Sequence, residues 1–287
     1  MTAPGRDGWQ PRVVALDIDG TLFGAAHGSG VVDETIAPDV LAALDAAGAA
    51  GAQVVLATGR STFGITGVLD LLGLPRRSAD QAFAVASNGS VTFSYTPDRA
   101  SPVEILSSVT FDASEVVARL LEHAPHVHVA VEEIGIGYRV NKPFPEGEIT
   151  GQFTFESVEE LVAEPVTRVI IRDPDATERD FAQLVERVGL HGINYFIGWT
   201  AWLDLAPADV SKASGLQSVC AHLDVAAGDV LAIGDGRNDV EMLRWAGRGV
   251  AMGQAVDEVK AAADAVTAGV RDDGVALELA RWFTDGT

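Results

Sequence analysis

The sequence predicts an α/β fold, a doubly wound parallel sheet that carries an α+β domain inserted in one of its loops. Apolar runs such as Val13–Leu16 lack polar alternation, which is typical of parallel strands buried on both faces. Segments with helical spacing separate these runs, which predicts βαβ units. Between about residues 91 and 194 the pattern changes to strands with fewer helices, and 287 residues suffice for two domains.

The predicted core, residues 1–90 and 195–287, alternates strands and helices. In its first part we predict a strand ending before Asp17, a helix at about Ala37–Ala47, a strand at Gln53–Ala57, a helix at Ser61–Leu72 and a strand at Phe83–Ala86. In its second part we predict an aromatic segment at Tyr195–Leu205 that leads the chain back, a helix that starts near Lys212 and runs to about His222, a strand at Val230–Ile233, a helix from Val240, a strand at Val250–Met252 and a helix at Asp257–Ala263. Parallel strands present their carboxyl ends at one edge, so polar residues after them are expected to meet there.

The inserted segment, residues 91–194, predicts an antiparallel sheet with helices on one face. Its predicted elements are strands at Val103–Phe111, Val127–Glu132, Gly137–Val140 and Val166–Arg172, and helices at Ser114–His123 and Glu178–Val188. His126 and His128 alternate like a pair of metal ligands, but no nearby cysteine or spaced carboxylate completes such a site. A solvated strand face is therefore the better interpretation of these histidines.

Charge and composition exclude several classes of partner. The formal net charge of −21 argues against nucleic acid or an anionic membrane, since both need a basic surface. No apolar run is as long as a membrane span, and the N-terminus does not resemble a signal peptide. Cys220 is the only cysteine, which excludes an intrachain disulfide and fits a cytoplasmic protein, and its apolar neighbours predict a core position.

Two carboxylates follow the first predicted strand. Asp17 and Asp19 are one residue apart, and Gly20 allows a sharp turn directly after them. Aspartate is common in turns, so this pattern alone also fits a plain turn. A functional interpretation gains weight because three further polar segments follow later apolar runs.

The second predicted strand ends at Thr58–Gly59–Arg60, and the third ends in a polar turn that contains Asn88. A hydroxyl, free backbone N–H groups and a planar cation together suit a phosphate oxygen. The alternative for the first segment is a helix-capping threonine beside a surface arginine. Asn88 either donates to a substrate or holds its own turn.

Lys212 lies near the start of a predicted helix, where the positive end of the helix dipole disfavours a cation. An anion or a carboxylate partner nearby would explain this position. Further acids, Asp235 and Asp239, follow the strand at Val230–Ile233. Four carboxylates at one sheet edge repel one another unless a cation is present, and hard oxygen ligands suit Mg²⁺.

These segments, in this order, resemble the haloacid dehalogenase (HAD) superfamily of phosphotransferases. Residues 17–22 match its Asp-x-Asp-Gly-Thr signature, and Thr58, Lys212 and residues 234–239 match its remaining motifs. The insert resembles the type IIB (C2B) cap of the Cof-like sugar-phosphate phosphatases, on a Rossmann-like core. Ala213 departs from the glycine usual after the lysine, which concerns only local helix geometry.

The resemblance implies a Mg²⁺-dependent phosphatase that acts on small phosphorylated metabolites, with sugar phosphates as the leading class. Asp17 would be the nucleophile that forms an aspartyl-phosphate, and Asp19 the general acid and base. The metal ligands would be Asp17, the backbone carbonyl of Asp19, Asp235 and Asp239. Asp239 would bind the metal either directly or through a water molecule.

The resemblance also implies the residues that hold the phosphoryl group. Lys212 and Thr58 would neutralise and orient its oxygens; the other substrate-binding residues would be Gly59, Arg60, Asn88 and Asn238. The cap would close over the leaving group, exclude water and set specificity.

Other functions use part of this set. A phosphomutase would use the same residues, and a non-catalytic sugar-phosphate binder would not need every catalytic position filled. A receiver-type signalling domain would not need Asp19 as an acid or a large cap, and a dehalogenase would need neither Asp19 nor Mg²⁺. The sequence leaves the physiological substrate and the oligomeric state open.

Overall fold

We describe the chain from a computed structural model, over residues 8–25, 32–33, 35–76, 80–190, 192–198 and 201–283. Its strands are, in chain order, β1 (Val13–Leu16), β2 (Gly24–Ala25), β3 (Val32–Asp33), β4 (Gln53–Ala57), β5 (Ala82–Ala86), β6 (Val91–Tyr95), β7 (Val103–Ser108), β8 (His128–Glu133), β9 (Gly137–Val140), β10 (Gln152–Phe155), β11 (Val169–Arg172), β12 (Ile193–Ile197), β13 (Trp202–Pro207), β14 (Val230–Gly234), β15 (Arg248–Ala251) and β16 (Ala265–Val266). Its α-helices are α1 (Pro38–Ala49), α2 (Thr62–Leu71), α3 (Ser114–His123), α4 (Val158–Leu161), α5 (Glu178–Val188), α6 (Lys212–His222), α7 (Val240–Trp245), α8 (Asp257–Ala262) and α9 (Gly274–Leu279).

The core sheet has eight strands in the order β16-β15-β14-β1-β4-β5-β6-β7. The first six of these run parallel to their neighbours, and β6 pairs antiparallel with β5. Leu16, the last residue of β1, lies opposite Ile233 of β14 and Leu56 of β4. The polar residues that follow these three strands therefore start from the same edge of the sheet.

Both faces of the core sheet are covered. Helices α6, α7 and α8 pack on one face, where Leu216, Met242 and Val259 contact the side chains of alternate strand residues. Leu16 and Leu56 point to the opposite face and are fully buried as well. Strands buried on both faces explain the continuous apolar runs in the sequence, and the predicted doubly wound α/β core is confirmed.

The cap unit comprises residues 60–64 and 108–210. Its six-stranded sheet has the order β10-β9-β8-β11-β13-β12, and every pairing is antiparallel except that of β10 with β9. Helices α3 and α5 cover one face of this sheet through Leu120, Phe181 and Val185. This confirms the predicted α+β domain with helices on one face.

The observed boundaries between the two units differ from the predicted ones, which follow residues 90 and 194. Strands β6 and β7 extend the core sheet beyond β5, so residues 91–107 belong to the core unit. Strands β12 and β13 complete the cap sheet, so the aromatic segment at Tyr195–Leu205 belongs to the cap unit. Strand patterns show that a strand exists, but the choice of partner strand depends on long-range pairing that a single sequence does not reveal.

Cys220 on α6 is buried in the apolar core between the helices and the core sheet, as predicted, and burial raises the pKa of its thiol to about 11. His126 is largely exposed and lies 2.8 Å from Asp173, whereas His128 stacks edge-on against Phe144. Neither histidine belongs to a cluster of potential metal ligands within the described part of the chain. Within that part, no helix is both long enough and apolar enough to cross a membrane.

Candidate active site

Asp17 is the first residue after β1 at the polar edge of the core sheet. Its backbone N–H donates to the carbonyl of Ile233 at 3.0 Å, which continues the β1–β14 pairing by one residue. The Asp17 carboxylate is only 5% exposed. An ionised group at such a position needs a partner, because burial removes its hydration.

Lys212 supplies that partner. It is the first residue of α6, whose start is capped by reciprocal hydrogen bonds between Ser211 and Ser214. The Lys212 side chain is fully buried, and its Nζ lies 2.6 Å from Asp17 Oδ1 and 2.6 Å from Asp239 Oδ1. A lysine at a helix start thus has the carboxylate partners that its unfavourable position predicted.

Asp239 joins Lys212 to the turn after β14. While Oδ1 binds Lys212, Oδ2 accepts the backbone N–H groups of Asp235 and Gly236 at 2.9 and 2.8 Å. Gly234 is required here, because a Cβ on it would lie 2.5 Å from the Asp239 carboxyl carbon. Both oxygens of Asp239 are therefore engaged in fixing the turn and the lysine.

Burial and mutual repulsion shift the pKa values of this cluster. Burial raises the pKa of Asp17 well above its usual value; Lys212 lowers it, and neighbouring carboxylates raise it again. Burial and then Asp239 raise the pKa of Asp235 to about 7. Burial alone would lower the pKa of Lys212, but Asp17 and Asp239 outweigh this effect and raise it. The cluster thus has more negative charge than one ammonium group neutralises.

Gly20 lets the chain turn directly against this cluster. Its φ of +86° lies in the region that favours glycine, and an added Cβ would fall 2.2 Å from Asp235 Oδ2. The next residue, Thr21, is buried, and its hydroxyl lies 3.5 Å from Asp235 Oδ1. The glycine and threonine of the Asp-x-Asp-Gly-Thr signature therefore both lie against Asp235.

A second polar group lies at the ends of β4 and β5. Thr58 is 1% exposed, and its backbone pairs with Val85 and Asn88. Gly59 packs against the Asn88 amide, where an added Cβ would lie 3.2 Å from Oδ1. Asn88 Oδ1 accepts a hydrogen bond of 2.9 Å from Asn238 Nδ2, which links this group to the turn after β14.

Two residues predicted for the site are placed differently from the rest. The Asp19 side chain is exposed and does not belong to the carboxylate cluster, although it contributes to the raised pKa values of Asp17 and Asp235. Arg60 belongs to the cap unit, whereas Thr58 and Gly59 belong to the core unit. The roles of both residues stay predictions.

Gln254 is a polar neighbour of the site that the sequence did not indicate. Its Nε2 donates to the carbonyl of Gly20 at 2.5 Å and lies 3.4 Å from Asp235 Oδ2. Its Oε1 accepts the backbone N–H of Val270 at 3.1 Å. A single glutamine after β15 carries no local signal for this contact, because its partners are distant in the sequence.

The residues present fit a divalent cation. Asp17, Asp235 and Asp239 each have a carboxylate oxygen within 4.8 Å of the others, and all three are buried. Carboxylate oxygens are the donors that Mg²⁺ prefers. Burial and then the Asp239 carboxylate raise the pKa of Asp235, and a bound cation would offset both effects on the ionised group. Since Asp239 already has partners on both oxygens, Asp17 and Asp235 are the better direct ligands.

Comparison with known proteins identifies the family. The model of the haloacid dehalogenase-like hydrolases matches residues 14–279 of this chain. The chain belongs to this family. Membership confirms the predicted resemblance and the predicted enzyme class, a phosphatase-type hydrolase of the HAD superfamily.

Proteins of similar sequence match this chain over nearly its whole length. YkrA of Bacillus subtilis is 29% identical over 277 residues, which are 93% of this chain and 96% of that protein. The pyridoxal phosphate phosphatase YbhA of Escherichia coli is 28% identical over 285 residues, with 92% and 96% coverage. BT1666 of Bacteroides thetaiotaomicron, a HAD phosphatase of known structure, has a TM-score of 0.74 at 24% identity and 98% coverage of both chains, which confirms the fold.

Proposed function

We propose that this protein is a Mg²⁺-dependent phosphatase that hydrolyses small phosphorylated metabolites through an aspartyl-phosphate on Asp17. The observation that carries the proposal is the buried cluster in which Lys212 binds Asp17 and Asp239 beside Asp235. A buried carboxylate held by one ammonium group and next to a cation site is suited to meet an anionic phosphoryl group. A structural ion pair alone would not need the third carboxylate.

The chemistry would proceed in two displacements. In the first, an Asp17 carboxylate oxygen bonds to phosphorus while the bond from phosphorus to the leaving oxygen breaks. Asp19 would protonate the leaving alkoxide. In the second displacement it would take a proton from the water that bonds to phosphorus, while the bond from phosphorus to the Asp17 oxygen breaks and inorganic phosphate leaves. The exposed carboxyl group of Asp19 beside the buried Asp17 is compatible with exchanging protons with substrate and water.

Asp17, Asp235 and the backbone carbonyl of Asp19 would hold Mg²⁺, and Asp239 would orient this set through the turn after β14. When bound, the cation screens the charge between the nucleophile and the phosphate. Lys212 would hold Asp17 in place and bind a phosphoryl oxygen. Asp239 supports this role because it fixes the position of the Lys212 Nζ.

The group at the ends of β4 and β5 would bind the remaining phosphoryl oxygens. Thr58 offers a hydroxyl, Gly59 offers a backbone N–H, and Asn238 is fixed by its hydrogen bond to Asn88. Arg60 would add a cation. These neutral and cationic donors answer the need for local positive potential in a chain with a net charge of −21.

Small metabolites are the substrate class that the relatives support. YbhA is named for pyridoxal phosphate, and the family assignment covers nearly the whole chain, including the cap segment. Sugar phosphates are our first choice among such compounds, because the insert resembles the cap of sugar-phosphate phosphatases. A cytoplasmic location stays a prediction from the single cysteine.

The test is phosphate release from a panel of phosphorylated metabolites in the presence of Mg²⁺. The panel should contain sugar phosphates, pyridoxal phosphate and an aryl phosphate. Asp17→Asn removes the nucleophile at nearly constant volume and should abolish release, whereas Asp39→Asn, an exposed carboxylate on α1, should retain it. EDTA should stop release and Mg²⁺ restore it. Turnover by Asp17→Asn at the wild-type rate would refute the mechanism, and no release from any compound would favour a phosphomutase or a binding protein.

A further inference from the structure

The segment that follows the proposed phosphate-binding residues is attached to the cap. Residues 60–64 belong to the cap unit, although they come directly after Thr58 and Gly59 of the core unit. The backbone N–H of Thr62, which begins α2, donates to Glu132 Oε1 of β8 at 2.9 Å. Thr62 is fully buried and Glu132 is 6% exposed, so solvent does not replace this hydrogen bond.

Glu132 has an unusual position for a carboxylate that only caps a helix. The usual cap is a side chain next to the helix start, and Ser61 already provides one, since its hydroxyl accepts the Gly64 N–H at 3.2 Å. Glu132 comes instead from a strand 70 residues further along the chain. A buried carboxylate is costly unless it is paired, so its placement here implies a purpose beyond that of the serine cap.

A second contact connects the same segment to the cap sheet. The Tyr138 side chain, which is 3% exposed, shares a hydrogen bond with the Ser61 side chain. Arg168 Nη1 lies 3.4 Å from the Tyr138 hydroxyl, and Arg168 forms an ion pair with Asp204 at 2.7 Å. Three strands of the cap sheet thus contribute to one buried polar network that ends at residues 61 and 62.

We propose that Glu132 and Tyr138 are positioning residues, which hold residues 60–62 to the cap sheet and thereby fix the orientation of Arg60 for phosphate binding. This inference rests on the proposed function, in which Arg60 binds the phosphoryl group. Neither Glu132 nor Tyr138 needs to touch the substrate.

This arrangement has a consequence that distinguishes it from leaving-group recognition. The phosphoryl group is common to all substrates, so loss of Glu132 should weaken the binding of every phosphate ester by the same factor. It should also weaken the binding of inorganic phosphate, which has no leaving group for the cap to recognise. Loss of a residue that contacts leaving groups would instead change the KM values of different substrates by different factors and leave the inhibition constant of inorganic phosphate unchanged.

The test compares Glu132→Leu, Glu132→Gln and Tyr138→Phe with the wild type in MgCl₂. The measurements are the inhibition constant of inorganic phosphate and the KM and kcat for two substrates with unlike leaving groups. Glu132→Leu removes the acceptor and should raise the phosphate inhibition constant and both KM values about tenfold, as expected for loss of one charge-assisted hydrogen bond. Glu132→Gln keeps an acceptor for Thr62 N–H and should stay within about threefold of the wild type. Glu133→Leu, the same change one residue along β8, is the matched control and should resemble the wild type.

An unchanged phosphate inhibition constant in Glu132→Leu, or an effect confined to one substrate, would overturn the inference. If Glu132→Leu does not fold, Tyr138→Phe decides, since it removes one hydroxyl at nearly constant volume. That variant should raise the phosphate inhibition constant about threefold, and no change would overturn the inference. Failure of the wild type to release phosphate from any substrate would instead refute the proposed function.

Discussion

At the residue scale, the site depends on one lysine with two carboxylate partners. Lys212 contacts both Asp17 and Asp239, and Asp239 uses its second oxygen to hold the turn after β14. The positive end of the helix dipole disfavours a lysine at a helix start, so the position of Lys212 in the sequence already predicts an anionic partner. The identity of both partners required the folded chain, because 195 residues separate Lys212 from Asp17 and 27 separate it from Asp239.

The raised pKa of Asp235 predicts a pH-dependent affinity for Mg²⁺. At a pH below its pKa of about 7, the Asp235 carboxyl group keeps a proton that the metal must displace. At a pH above that value, the group is already ionised. The apparent Mg²⁺ affinity should therefore rise about tenfold from pH 6 to pH 8. Isothermal titration calorimetry at the two pH values measures this change.

Asp235→Asn is the control for the pH effect, because it removes the titrating group. We expect weak Mg²⁺ binding by this variant and a smaller change between the two pH values. Equal affinity of the wild-type protein at pH 6 and pH 8 would contradict the assignment of Asp235 as a metal ligand.

At the element scale, the start of α6 is fixed by close packing against the turn between β5 and β6. Gly89 lies in this turn with a φ of +110°, and an added Cβ would fall 2.0 Å from the carbonyl oxygen of Ser211. Ser211 caps α6 directly before Lys212. The turn after β5 therefore sets where the helix begins and, through it, where the lysine lies.

Gly89→Ala should destabilise the core more than an alanine at a glycine with open surroundings. Gly51 has a similar backbone, with a φ of +87°, but nothing lies within 4 Å of its added Cβ. We expect Gly51→Ala to lower the free energy of unfolding by about 1 kcal/mol, from backbone strain alone. Gly89→Ala should lower it by roughly 3 kcal/mol or more, because backbone atoms must also move. Urea denaturation of both variants measures the difference, and equal losses would show that the close approach carries no cost.

At the scale of the core unit, residues near both ends of the chain pack together. Trp9 and Trp282 form an edge-to-face pair with ring centroids 4.6 Å apart, and the Arg248 guanidinium lies 5.3 Å from the Trp282 ring. Glu278, which is 2% exposed, binds both Arg248 and the Trp282 indole N–H. This group connects the segment before β1 to α9 and to the start of β15.

Trp282→Ala should lower the free energy of unfolding by about 2–3 kcal/mol, because it removes the ring that contacts Trp9, Arg248 and Glu278 together. Leu277→Ala on α9, the helix that precedes Trp282, is the control, since Leu277 is 56% exposed, and its effect should stay within about 0.5 kcal/mol. Urea denaturation of both variants provides the measurement. Similar losses in the two variants would mean that the terminal contacts contribute little to stability.

Local features of the sequence predict the α/β class, the α+β insert and the residues at the polar edge of the core sheet. Continuous apolar runs arise because β1, β4 and β14 are buried on both faces, and Asp17, Thr58 and Asp235 follow these strands directly. The folded chain is needed to see that β6 and β7 join the core sheet, that β12 and β13 join the cap sheet, and that Gln254 reaches Asp235. The difference lies in the range of the interactions, because burial patterns and turn residues are encoded locally, whereas strand partners and side-chain contacts depend on segments far apart in the chain.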